Sequence, residues 1–362
     1  MFTFLFRLLL ASLLLSGCAP KEASLQRFFW PIGGDDPKIE FIRTVGTDRD
    51  VQKGGESWLA EALLGIEEPG SLFVSPYDVA SDGKGRVYVS DIALNDVLIL
   101  DFAAHKVRHF ERPAQDELFF VSPMGLAIAP AGGVYVSDNV QGRIYLFDAA
   151  GKVRKIFGQN ILRRPTGLVY DSVSDRLYVA DAGLHQVVVF TPDGLWQKTF
   201  GTRGEAPGEF NYPLDLDVDG DGNLYVLDSM NARIQVFDAK GAFLRSFGER
   251  GTSLGSFYMA KGIAVDRSGH VYVSDAIGHR FVIFDLMGTH LMTLGGRTSS
   301  QGNLGLPGGF DMPKGVAADS NDAIWVVDSL NRMVHQYQFL NRDYLEKNPV
   351  QPGQAYIPEA LR

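Results

Sequence analysis

The apolar residues of this chain fall in short runs of strand length, rich in Val, Ile, Tyr and Phe, and clusters of Gly, Asp, Asn and Ser separate the runs. Such spacing predicts β-strands joined by tight turns. One pattern recurs six times, an aromatic residue followed by valine, a variable residue and aspartate. It reads Tyr88-Val89-Ser90-Asp91, Tyr135-Val136-Ser137-Asp138, Tyr178-Val179-Ala180-Asp181, Tyr225-Val226-Leu227-Asp228, Tyr272-Val273-Ser274-Asp275 and Trp325-Val326-Val327-Asp328. Successive aspartates lie 47, 43, 47, 47 and 53 residues apart. That period suits one four-stranded blade of a propeller, so the expected fold is all-β and six-bladed.

Each unit has the same internal order. A strand led by Pro76, Pro123, Pro165, Pro213 or Pro313 opens the unit, with Ala260 in the fifth copy. An Asp/Gly turn such as Asp219–Gly222 follows, then the aromatic-valine strand. An alternating strand such as Arg233–Asp238 comes next, and a last strand ends near Phe-Gly, as at Phe157-Gly158 and Phe247-Gly248. The sixth unit stops after its third strand, near Gln336–Phe339. Glu40–Gly46, ahead of the first unit, is similar to the fourth strand Phe243–Gly248. We therefore expect residues 39–46 to supply the outer strand of the last blade and close the ring, which protects sheet edges. The domain reading is 1–17 signal, 18–38 tether, 39–344 propeller and 345–362 tail. Trp58, Leu59, Ala62 and Leu63 stand at helical spacing and predict one short helix in the loop 47–74.

The N-terminus carries a separate message. Phe2–Phe6 and Leu8–Leu15 are apolar around a single Arg7, too short to span a bilayer and suited to a secretory signal. Leu15-Ser16-Gly17-Cys18 resembles a bacterial lipobox. The resemblance implies lipid on the Cys18 sulfur, cleavage before that residue and acylation of the new amine. Ala19 after the cysteine, in place of Asp, implies the outer membrane by the same resemblance, facing the periplasm or the cell surface. Several acyl chains anchor stably where one does so only marginally.

The fourth unit, from Pro213 to Gly241, contains Asp219-Gly220-Asp221-Gly222-Asn223-Leu224-Tyr225-Val226-Leu227-Asp228-Ser229-Met230-Asn231-Ala232-Arg233-Ile234. It resembles the NHL repeat, and all six units fit over roughly residues 39–340. Unit one departs most, with Asp78 for the usual glycine and Asp96 for the arginine. The family's fold is a six-bladed β-propeller used mainly to bind other molecules. Some similar propellers are enzymes, notably peptidyl-α-hydroxyglycine amidating lyases, whose zinc histidines follow the opening proline of three inner strands. The matching positions here are Tyr77, Met124, Thr166, Leu214, Lys261 and Lys314, none of them histidine. A catalytic zinc needs three convergent ligands, and lysines there would repel a cation.

Other candidate chemistry reduces to structure. His185 and His279, each four residues past a repeated aspartate, are expected to be hydrogen-bonded loop residues. Asp217, Asp219, Asp221 and Asp228 imitate a calcium loop but lie on strand and turn positions. The six repeated aspartates are expected to accept backbone N–H groups at the blade turns, and Arg143, Arg233 and Arg280 to pair with neighbouring blades or those carboxylates.

The charge balance, 34 basic against 43 acidic residues of 362, gives −9, with no basic run to hold nucleic acid. One cysteine excludes internal disulfides. The channel face then remains, with Tyr77, Asp78, Met124, Thr166, Leu214, Asp215, Lys261 and Lys314 as candidate ligand-binding residues and no catalytic residue, metal or cofactor. Its rival is the set of rim loops 202–212, 250–260 and 295–312, rich in Gly, Ser and Phe. The expected function is an envelope lipoprotein whose propeller binds a protein, peptide or glycan. The alternative is a metal-dependent propeller enzyme, amidating-lyase-like or lactonase-like.

Overall fold

The computed structural model describes residues 27–31, 36–52, 70–110, 119–297 and 307–350. Cys18 and the helix expected around Trp58 to Leu63 lie outside them. Six antiparallel sheets form a six-bladed β-propeller. Their innermost strands are Pro76–Ser81, Pro123–Ile128, Pro165–Asp171, Pro213–Val218, Ala260–Val265 and Pro313–Ala318. Each packs beside the inner strand of the next blade, and the sixth returns to the first, so the ring closes. Proline leads five of these strands because the first residue is where a missing N–H costs no ladder bond.

The aromatic-valine segments form the second strand of every blade, and Tyr135, Tyr225 and Tyr272 are fully buried there. These strands are buried along their length, apart from the half-buried first residues Arg86, Arg176 and His270, since each blade is covered on both faces by its neighbours. One core cluster joins Ile144 and Phe157 of blade 2 to Leu168, Val179 and Phe190 of blade 3. Another joins Trp325 and Val334 of blade 6 to Val79 and Val89 of blade 1. The outer strands face solvent, as Lys106–His109 does.

Blade 6 is built from both ends of the chain. Ile39–Val45 pairs antiparallel with Met333–Phe339, with Ile39 opposite Phe339 and Val45 opposite Val334. The N-terminal strand thus completes the last blade. The segment read as a plain tether needs correction at its end, because Phe28–Trp30 adds a fifth strand outside Ile39–Val45. Trp30 packs edge-on against Tyr337 at 5.8 Å, which draws the extra strand in. The 344/345 boundary is also displaced, since the helix Arg342–Lys347 crosses it. Arg27 pairs with Glu40 at 2.6 Å, and the Tyr344 hydroxyl donates to the same carboxylate at 2.9 Å.

Candidate functional site

The repeated aspartates work on the backbone. Asp138 Oδ2 accepts the N–H groups of Val121 and Ser122 ahead of the inner strand, and its Oδ1 accepts those of Val140 and Gln141 in the next loop. Asp91 and Asp181 repeat this pattern. Arg233 pairs with Asp228 at 2.9 Å and Arg280 with Asp275 at 3.4 Å, whereas Arg143 donates to Gln141 of its own loop. The histidines are loop acceptors as well: Tyr212 N–H donates to His185 Nδ1 at 3.2 Å and Met312 N–H to His279 Nδ1 at 3.4 Å. In the calcium-like stretch, Asp219 Oδ1 accepts the N–H groups of Asp221 and Asn223 to close the turn. No cluster of three or more potential metal ligands occurs among the described residues. In the rim loops read as a rival surface, Phe210, Phe257 and Phe310 are fully buried as packing between blades, while Tyr212, Leu254 and Tyr258 stay exposed.

The channel has two unlike ends. Toward the turns at the ends of the inner strands lies a cavity of about 560 Å³, lined by Asp78, Asp215 and Asp217 along with Leu126, Leu168, Ile263 and Val316. Asp78 and Asp215 stand in blades 1 and 4, opposite each other in a ring of six, where the other blades have Gly125, Gly167, Gly262 and Gly315. Each reaches the next blade: Leu126 N–H donates to Asp78 Oδ2 and Ile263 N–H to Asp215 Oδ2, both at 2.9 Å. Val265 N–H donates to Asp217 Oδ2 at 2.7 Å. Burial in the channel wall raises the Asp78 carboxyl to about 7 against those donated bonds, and the Asp217 charge adds to the rise. Burial lifts Asp217 to about 7 as well. Asp215 is pushed well above the usual carboxylate range, first by burial and then by Asp78.

At the other end stand the first residues of the inner strands. Tyr77 is held neutral by burial and by the charges of Asp78 and Asp215. Lys314 Nζ lies 5.0 Å from the centre of its ring. Burial lowers the Lys261 and Lys314 ammonium pKa values; the positive charge of Lys261 lowers that of Lys314 further, and the Asp91 carboxylate works against both effects at Lys314. Neither lysine forms an ion pair among the described residues.

The eight sequence-predicted residues therefore divide. Asp78 and Asp215 line the cavity; Tyr77, Met124, Leu214, Lys261 and Lys314 sit half-buried at the opposite mouth and do not line it. Thr166 is a correction: it is 2% exposed, and its hydroxyl is within hydrogen-bonding distance of the Ala180 and Pro213 carbonyls, so it fastens blade 3 to blade 4. Sequence reasoning missed Asp217 as a channel residue. Its signal was the two-residue step from Asp215, which places both carboxyls on one face of the strand.

Residues 168–234 and 220–294 match a protein family described as a 6-bladed beta-propeller. No curated protein matches the chain. Among solved structures, a structural genomics protein of unknown function from Bacteroides thetaiotaomicron aligns with a TM-score of 0.61 at 16% identity, over 84% of this chain and 78% of that one. Virginiamycin B lyase from Staphylococcus aureus aligns at 0.54 and 14% identity, over 84% and 99%. An auxiliary nutrient binding protein, also from B. thetaiotaomicron, aligns at 0.55 and 14%, over 74% and 70%. Likeness at these identities is a likeness of fold.

Proposed function

We propose that this chain is an NHL-type propeller lipoprotein of the bacterial envelope, anchored through lipid on Cys18, that binds an envelope protein, peptide or glycan without acting on it. The observation that carries the binding reading is the pair Lys261 and Lys314. Two half-buried ammonium groups on neighbouring inner strands form no ion pair among the described residues. Lys314 has the Tyr77 ring and the more distant Asp91 charge, but the burial of Lys261 is offset by neither, a cost that a group from outside the ring would relieve. Replacing Cys18 with Ser should move the protein from the membrane pellet to the soluble fraction; retention in the pellet refutes the anchor. For binding, a photo-crosslinking residue in place of Met124 should yield a discrete adduct in cells, and its absence counts against a partner at this mouth.

A specific observation favours a second reading as an enzyme. Asp78 and Asp217, with carboxyls near 7 in a cavity large enough for a small molecule, have the proton affinity of general acids. Elemental mass spectrometry of protein purified without chelator tests the metal-dependent form of this reading, which stoichiometric zinc or calcium would favour; loss of a detected activity in Asp78→Asn or Asp217→Asn tests the general-acid form.

A further inference from the structure

The face around the lysines carries a second pattern. The first residue of each inner strand pairs with the repeated aspartate of the next strand, Pro213 with Asp228, Ala260 with Asp275 and Pro313 with Asp328. The residue two or three places past each aspartate therefore stands on the same face as Lys261 and Lys314. Four blades carry a large apolar residue two places on, Val140, Met230, Ile277 and Leu330, and the other two carry Leu94 and Leu184 one place further. Five are exposed, Val140 at 64% and Leu330 at 58%, and Leu184 is half-buried. Scattered surface apolar residues need no explanation, but one in the same short loop of every blade, at one of two neighbouring positions, makes a ring around a single opening. The opposite face shows no such ring at its centre, where Asp82, Asp219, Asp266 and Asp319 surround the acidic cavity.

We propose that this face takes an acidic peptide segment of a partner protein, with a carboxylate seated over Lys261 and Lys314 and apolar side chains resting on the ring. The inference rests on the binding reading above and names its partner. A neutral glycan would bring no charge to offset the burial of Lys261. A flat membrane would meet the ring but not the half-buried lysines at its hub, which an acidic side chain on a peptide can reach. The net charge of −9 repels an acidic partner elsewhere on the molecule, which favours this one approach.

The test uses the purified full chain and fluorescent twelve-residue peptides in which Asp or Glu is flanked by Leu, Ile and Val, beside the same peptides carrying Asn or Gln. The acidic set should bind, the amide set about tenfold more weakly or worse, by loss of a charged contact. Lys261→Gln with Lys314→Gln should weaken acidic-peptide binding at least as much. Ile277→Ser with Leu330→Ser should weaken it too, with the fold of each variant checked by circular dichroism. Equal binding of the two peptide sets, or binding untouched by the lysine replacements, overturns the proposal. Binding to vesicles of anionic phospholipid and not to peptides overturns it in favour of a membrane. Peptide binding that appears only after deletion of 53–69, a segment with Glu56, Trp58, Glu61 and Leu63, makes this chain its own occupant and overturns it equally. Protein adducts from a crosslinker at Ile277 without acidic-peptide binding sink this inference and leave the binding reading standing; neither adducts nor peptide binding sinks both.

Discussion

Two aspartates sit where the remaining blades have glycine, and the glycines explain how they fit. A Cβ on Gly167 would come within 2.0 Å of Asp215 Oδ1, and one on Gly315 within 2.2 Å of Asp78 Oδ1. Each carboxyl thus occupies the space left by a missing side chain in the preceding blade while it accepts an N–H from the following one. Because burial raises Asp78 to about 7, protonation favours the folded state. A raised folded pKa contributes stability that is fully present below the unfolded pKa, near 4, and is lost as pH rises through the folded value. Asp78→Asn removes that titration but keeps an oxygen for Leu126. The variant should therefore gain melting temperature over the parent at pH 8 and lose the advantage by pH 5. Parallel profiles for the two proteins across that range would refute the assignment.

At the scale of the element, the variable residue before the repeated aspartate joins neighbouring blades where it is serine, in three of the six. Ser137 Oγ accepts the Gly125 N–H of its own inner strand at 2.8 Å and donates to the Thr166 carbonyl of the next blade at 2.5 Å. Ser90 and Ser274 make the same pair of contacts, to Met124 and Lys314. Blade 3 has Ala180 at this position, and there the Thr166 hydroxyl reaches toward Pro213 of blade 4. Ser137→Ala leaves a buried N–H and a buried carbonyl unpaired, and should cost about 1–3 kcal/mol in equilibrium denaturation. A loss near zero would mean that the blades adjust to satisfy both groups. The strands themselves were legible in the sequence because the aromatic-valine pattern and its turns repeat six times, and each copy reinforces the rest. The serines were not, because a repeated polar residue reads as a solvent position until the neighbouring blade supplies its carbonyl. The channel was half legible for a related reason. Position within the repeat identifies which residues begin the inner strands, but not that Thr166 turns into the wall or that the cavity lies at the far end, by Asp217. Those facts depend on how six strands tilt around one axis.

For the whole molecule, the decisive contact is the one that turns an open array into a ring. Without Ile39–Val45, the third strand of blade 6 would present an unpaired edge, and the seam between blades 6 and 1 would lose part of its core. Ile39 and Val45 are 1% and 0% exposed, so their burial alone accounts for about 3–6 kcal/mol. The ladder to Met333–Phe339 and the edge-on contact of Phe41 with Tyr337 at 5.6 Å add to it. That sum is comparable with the entire stability of an ordinary domain, about 5–15 kcal/mol. Deleting 39–46 should therefore lower the melting temperature steeply or abolish a cooperative transition in calorimetry. Val45→Asp, which buries an unpaired charge against Val334 and Trp325, should have the same sense without shortening the chain. An unchanged melting temperature in both variants would show that the five remaining four-stranded blades hold the ring on their own and that the N-terminal strand only decorates its edge. A large loss in both would show the opposite dependence. The pairing of Ile39–Val45 with Met333–Phe339 would then hold the ring shut, and the channel face would keep its shape only while the two ends of the chain stay paired.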